Sequence, residues 1–109
     1  MKLSELIKKL NLTVLTDSNF DDCDVTGCYI GDLLSWVMNK VQSGNVWITI
    51  MSNINIVAVA SLTNAACILL CEGVCADESV INKANEEGII ILQSSGAAYE
   101  LACKISEEI

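Results

Sequence analysis

The hydrophobic positions of the chain follow two different spacings along its length. Short, dense runs of Ile, Val and Leu predict strands at residues 12–16, 25–30, 46–51, 66–71 and 89–92. Apolar residues three or four positions apart predict helices at residues 3–10 and 32–42, between Asp77 and Gly88, and after Gly96. This alternation predicts one α/β domain over residues 1–109, a three-layer sandwich with a largely parallel central sheet of about five strands flanked by helices.

The stretch from Asp24 to Met38 is central to this prediction, because it combines a strand, a tight turn and a helix. Its first half has the apolar spacing and the glycine of a short strand. Its second half has the spacing of a helix, and the residues predicted to face inward are Leu33, Leu34, Val37, Met38 and Val41.

Residues 54–62 are compatible with two structures. Their Ile and Val side chains favour a strand, whereas the preceding Ser52 and Asn53 are good N-caps and the apolar and Ala content suits a buried helix. We predict a helix because it preserves the alternation of strand and helix. Such a helix is apolar nearly all round and needs cover on more than one side, which predicts a subunit interface.

The charge balance excludes several functions. The chain has 14 acidic residues and 6 basic ones, for a formal net charge of -8, so nucleic-acid binding is not expected. All six basic residues are lysines, and there is no histidine, so the commonest general base and metal ligand is missing. We expect a protein that is not an enzyme and that uses no cofactor. No apolar run has the length of a membrane span, and we expect a cytoplasmic protein.

The six cysteines are predicted to be thiols in such a protein. Cys67, Cys71 and Cys75 are four residues apart, which does not match the usual spacing of zinc or iron–sulfur ligands. Because Cys67 and Cys71 fall on one face of a predicted strand, we expect both to be small core residues. No metal site is predicted.

Four separate blocks resemble the DRTGG domain family, whose fold is related to the N-terminal domain of HPr kinase/phosphorylase. They are Val25–Ile30, Asp32–Ser35 followed by Val37 and Met38, Trp47–Thr49 and Asn55–Leu62. The namesake motif is altered here, because its arginine is absent and its second glycine is Cys28. The chain is similar to stand-alone DRTGG proteins of anaerobic bacteria that occur with iron-only hydrogenase components.

The resemblance implies a regulatory or dimerising module, and it supports the helix at residues 54–62. It also implies a redox partner associated with a hydrogenase. The leading hypothesis is therefore a non-catalytic homodimer that interacts with such a partner. The residues predicted for the interface are Trp36, Ile54, Val57, Ala58 and Ser61.

The alternative hypothesis is a sensor that binds a small anion or an adenine nucleotide. In open α/β sheets, ligands bind beyond the carboxyl ends of the strands, where helix N-termini present free N–H groups. Small polar residues at the expected strand ends are therefore predicted to bind the ligand, namely Thr26, Gly27, Ser52, Asn53, Ser94, Ser95 and Gly96.

Overall fold

The computed structural model describes residues 1–109 and contains five helices and five strands. The helices are α1 (Leu3–Lys9), α2 (Leu34–Lys40), α3 (Asn55–Thr63), α4 (Glu78–Glu87) and α5 (Ala98–Glu108). The strands are β1 (Thr13–Val14), β2 (Gly27–Ile30), β3 (Asn45–Thr49), β4 (Cys67–Leu70) and β5 (Ile91–Gln93). None of these helices is long and apolar enough to cross a membrane.

The strands form one sheet in the order β1, β5, β4, β3, β2. Strands β2 to β5 are parallel to their neighbours, and the short β1 is antiparallel to β5. The strands β2, β3, β4 and β5 are neighbours in the order in which they occur in the chain, so α2, α3 and α4 each connect two adjacent parallel strands. Such connections are right-handed, and because all three run in the same direction across the sheet, the three helices lie on the same face. Helices α1 and α5 cover the other face, which confirms the predicted α/β sandwich.

Two hydrophobic cores, one on each face of the sheet, account for the three layers. Helices α1 and α5 contribute Leu3, Leu6, Leu101 and Ile105 to one core. Helices α2, α3 and α4 contribute to the other core the residues Val37, Ile56, Val57, Val59, Ala60, Val80 and Ala84. Every residue of β3 and β4 is buried, because both strands have neighbours on both sides and helices on both faces.

The helix predicted at residues 54–62 is confirmed as α3. Its predicted caps act differently from expectation, because Ile54 occupies the N-cap position and makes no side-chain capping bond. Asn53 Oδ1 instead accepts a hydrogen bond from the N–H of Asn55 at 2.9 Å. Gly88 ends α4 in the left-handed conformation, as its position predicts.

The inward face predicted for α2 is partly wrong. Val37 and Val41 are buried, but Leu33 is 63% exposed and Met38 is 46% exposed. The helix begins at Leu34, so Leu33 lies at its N-cap, and the narrow contact with the sheet is filled by residues four apart. Apolar side chains on the other sides of α2 are left in solvent.

Candidate functional site

The carboxyl edge of the sheet contains five of the seven residues predicted to bind a ligand. Ser52 and Asn53 follow β3, and Ser94 to Gly96 follow β5. The two groups do not share a cavity, because β4 lies between their strands. Ser94 and Ser95 line a small polar pocket of about 380 Å³ with Asn11, Thr13, Gly73 and Gln93.

Thr26 and Gly27 lie at the opposite edge of the sheet, so their predicted grouping with the other five is wrong. Gly27 pairs with Asn45, the first residue of β3, which places both at the amino ends of their strands. A four-residue strand is about 13 Å long, too long for Thr26 to reach the carboxyl edge. The signal available in the sequence was the position of Thr26 near the start of the strand predicted at residues 25–30, and not at its end.

The Thr26 hydroxyl has a structural role in holding two segments together. Thr26 Oγ1 donates a hydrogen bond to the carbonyl of Ser43 at 2.7 Å and accepts one from Asn45 Nδ2 at 3.3 Å. The N–H of Thr26 donates to the carbonyl of Gly44 at 3.0 Å. The altered namesake motif therefore joins the start of β2 to the turn before β3.

The Asp32 carboxylate joins the carboxyl ends of β2 and β3, a role that the sequence analysis missed. Its Oδ1 accepts hydrogen bonds from Thr49 Oγ1 at 2.8 Å and from the N–H of Ile50 at 3.1 Å. The N–H of Met51 donates to Thr49 Oγ1 at 3.1 Å. An aspartate two residues after one strand and a threonine at the end of the next, apolar strand were the available signal.

The loop from Ser94 to Gly96 has few free donors for an anion. The N–H of Ser94 donates to Leu70, and the N–H of Gly96 donates to Ser94 Oγ at 3.1 Å. The N–H of Ala97 donates to the Glu100 carboxylate at 3.4 Å. The start of α5 is therefore already occupied by a carboxylate of the chain itself.

Electrostatics at the carboxyl edge are unfavourable for phosphate. Four helices, α2 to α5, start at this edge, and three of them have acidic residues at or near their first turn. These residues are Asp32 before α2, Asp77 and Glu78 at the start of α4, and Glu100 in the first turn of α5. No lysine lies in the first turn of any of these helices. Only the start of α3, with Ser52 and Asn53, has no carboxylate.

The exposed sides of α2 and α3 form a second candidate site. The α2–α3 surface comprises the exposed residues Leu33, Trp36, Ile54, Ala58, Ser61 and Leu62. Trp36 is 62% exposed and Leu62 is 73% exposed. A groove of about 330 Å³ between α3 and α4 includes four of the five residues predicted for an interface, and Lys83 and Glu87 form its far side.

Val57 is the one predicted interface residue that is not at the surface. It is 1% exposed and packs in the core beneath α3. Val57 therefore offers a partner very little surface at the base of the groove, whereas Trp36, Ile54, Ala58 and Ser61 are exposed. The helix is apolar on both sides, and only the packing against the sheet distinguishes its inner residues from its outer ones.

The cysteines are all free thiols, and full or partial burial raises the pKa of four of them, which favours the neutral form. Burial raises the pKa of Cys28 from 9.0 to about 11. Burial, helped by Asp22 and Asp24, also raises the pKa of Cys23. Cys67 is buried beside these two thiols, and burial raises its pKa further. No group of three or more acidic, cysteine or histidine side chains is arranged to hold a metal ion.

The fold and these surfaces define a small α/β domain with candidate binding surfaces. The model of the DRTGG domain matches residues 4–107. The chain therefore belongs to the DRTGG domain family, whose members are regulatory domains, as the sequence resemblance predicts.

A solved structure has the same fold. It is the crystal structure of the CBS and DRTGG domains of the regulatory region of Clostridium perfringens pyrophosphatase, complexed with the activator diadenosine tetraphosphate. The TM-score is 0.73 with 11% sequence identity, and the match covers 98% of this chain and 46% of that chain. No curated protein matches this chain.

Proposed function

We propose that this chain is a non-catalytic regulatory module that acts as a homodimer through the α2–α3 surface. The observation that carries the proposal is the distribution of charge. Lys40 is the only charged residue between Leu33 and Cys71, although the whole chain has a net charge of -8. Two acidic copies repel one another unless they meet through a surface without like charges, and the α2–α3 surface is of this kind.

The shape of the surface also supports self-association. Ala58 and Ser61 are small and exposed on α3, so a second helix can approach closely. Leu62, Ile54 and Trp36 provide apolar side chains that are exposed in the monomer. A redox enzyme as the regulated partner and a cytoplasmic location remain expectations from the sequence.

The test is the oligomeric state of two variants that each add one carboxylate. Ala58→Glu places a charge in the centre of the α2–α3 surface, whereas Asn82→Glu places the same charge on an exposed position of α4. We expect sedimentation to show a dimer for the original chain and for Asn82→Glu, and a monomer for Ala58→Glu. A monomer for all three at high micromolar concentration would refute the homodimer.

Fluorescence provides an independent measurement of the same surface. Trp36 is 62% exposed, whereas Trp47 is fully buried and donates from Nε1 to the carbonyl of Gly31 at 2.9 Å. Subtracting the spectrum of Trp36→Phe isolates the emission of Trp36. This emission should shift to shorter wavelength as the protein concentration rises, because dimerisation removes water from the indole. A spectrum that does not change with concentration would contradict a contact at Trp36.

The second candidate function is a sensor of adenine nucleotides. Two observations favour it: the activator bound by the regulatory region of the pyrophosphatase, and the start of α3 at Ser52 and Asn53, which has no carboxylate. Binding of diadenosine tetraphosphate at about one hundred times its Kd would stabilise the domain by about 2.7 kcal/mol. No change in melting temperature and no calorimetric heat with this nucleotide or with simple adenine nucleotides would rule it out.

A further inference from the structure

Strand β2 is an edge of the sheet with hydrogen-bonding groups directed outward. Its only strand neighbour is β3, and Tyr29 pairs with Trp47 across the two strands. The N–H of Gly31 donates to the carbonyl of Ile48 at 3.1 Å. Because backbone groups alternate in direction along a strand, Gly31 and Tyr29 face β3, and the N–H and C=O groups of Cys28 and Ile30 face away from the sheet.

An apolar groove lies beside this edge. It has a volume of about 660 Å³ and lies between β2 and α5. Residues 28–30 line one side, and Ala102, Ile105, Ser106 and Ile109 line the other. Ile30 is 47% exposed and Ile109 is 50% exposed. No charged side chain lines the groove. The structure therefore combines an open strand edge with a helix-walled apolar groove, the arrangement that binds peptides by strand addition.

We propose that this groove binds an extended peptide segment of a partner protein, which adds to the sheet as a strand beside β2. The outward groups of Cys28 and Ile30 would pair with the peptide backbone, and alternate apolar side chains of the peptide would enter the groove. Such an edge is otherwise a liability that proteins usually cover or protect with charge. This surface is separate from the α2–α3 surface.

Acidic residues flank β2 on both sides in the chain, so we expect basic residues at the ends of the peptide. Asp32 follows β2, and Asp21, Asp22 and Asp24 precede it, with Lys2 as the one basic partner of Asp24 at 3.4 Å. The same charges disfavour a second copy of β2, because antiparallel pairing about Tyr29 would bring Asp32 near the Asp24 end of the other copy. A partner peptide with an apolar centre and basic ends avoids this repulsion between carboxylates.

The experiment uses a short labelled peptide with a lysine at each end and valine alternating with serine between them, and binding is measured by fluorescence anisotropy. Ile30→Pro removes one outward N–H while Ile30→Val retains it, and proline is tolerated on an edge strand. We expect Ile30→Pro to weaken binding by about tenfold and Ile30→Val to leave it nearly unchanged. The amides of Cys28 and Ile30 should become protected from hydrogen exchange only when the peptide is present.

Ile109→Asn provides a second test if Ile30→Pro fails to fold by circular dichroism. It removes an exposed apolar wall of the groove and should weaken binding several-fold. Absence of peptide binding, or equal binding by all three variants, would overturn the proposal. If the amides of Cys28 and Ile30 became protected without peptide as the protein concentration rises, a second copy of the chain would occupy the edge. That result would also overturn the proposal. The Ala58→Glu variant should bind the peptide normally, because Ala58 is not part of the groove. Failure of the homodimer proposal can therefore be distinguished from failure of the peptide proposal.

Discussion

Thr26 Oγ1 donates a hydrogen bond of 2.7 Å to the carbonyl of Ser43, across 17 positions of the chain. The same hydroxyl accepts a bond from the side chain of Asn45, whose own Oδ1 accepts from the N–H of Gln42. The strand start, the turn and the next strand are therefore joined through one hydroxyl. This relationship gives the Thr26–Gly27 part of the family motif a structural role at the amino edge of the sheet.

Replacing Thr26 by valine tests this role directly. Valine has the same shape but no hydroxyl, so Ser43 and Asn45 each lose a hydrogen-bond partner. We expect Thr26→Val to lower the free energy of unfolding by about 1 kcal/mol, mainly because the buried Asn45 side chain loses a hydrogen-bond partner. Thr26→Ser keeps the hydroxyl and should be less harmful. Urea unfolding measures both, and equal losses would show that the hydroxyl is not responsible.

Gly44 should be the glycine that is most sensitive to substitution by alanine. It has φ of +83°, and a Cβ would lie 2.8 Å from the side chain of Thr26. The left-handed conformation alone costs about 1–2 kcal/mol for alanine, and the clash adds to it. Thermal or urea unfolding of Gly44→Ala measures the sum of both effects.

Gly73 is the matched control for this substitution. It also has a positive φ, +72°, but a Cβ there would meet no atom within 4 Å. Gly73→Ala should therefore lower the free energy of unfolding only by the cost of the backbone conformation. If the two variants lost equal stability, the close packing of Gly44 on Thr26 would have no energetic consequence.

The stability of the domain should fall at alkaline pH through Cys28. Its pKa is raised from 9.0 to about 11 by burial, so folding favours the neutral thiol. The stabilisation from this shift is fully present below the ordinary pKa and is lost as the pH rises towards the folded value. Cys28→Ala should lose less stability than the original chain between about pH 8 and about pH 10.5, measured by urea unfolding. Equal losses for the two proteins would show that Cys28 is not responsible for the pH dependence.

Substitutions of Val57 and Leu62 should distinguish the buried side of α3 from its exposed side by their effects on stability. Val57 is 1% exposed, and Val57→Ala removes buried methyl groups at a cost of about 2 kcal/mol, the sum of lost transfer energy and a small cavity. Leu62 is 73% exposed, and Leu62→Ala should change the stability of the monomer by less than about 0.5 kcal/mol. Unfolding in dilute solution compares them, and a larger loss for Leu62→Ala would invalidate the assignment of the inner and outer sides.

Local patterns were sufficient for the elements and for the class of fold. The dense apolar run around Trp47 predicted a strand covered on both faces, and β3 is buried throughout. Residues 54–62 were ambiguous by periodicity, because a helix buried against its neighbours and a buried strand have the same composition. The requirement of alternating elements and the family resemblance resolved the choice, and α3 confirms it.

The sequence by itself determined the alternation of helices and strands, the acidic charge and the membership of the DRTGG domain family, because these depend on residue type and short spacings. Only the tertiary structure decided which polar residues share an edge and which apolar residues remain exposed. Thr26 and Ser52 are similar in chemistry, yet they lie at opposite ends of parallel strands. Val57 and Ala58 are adjacent, yet one is buried and the other exposed. The physical reason is that sheet topology and helix packing bring distant residues together and give each side chain its environment, which no local pattern contains.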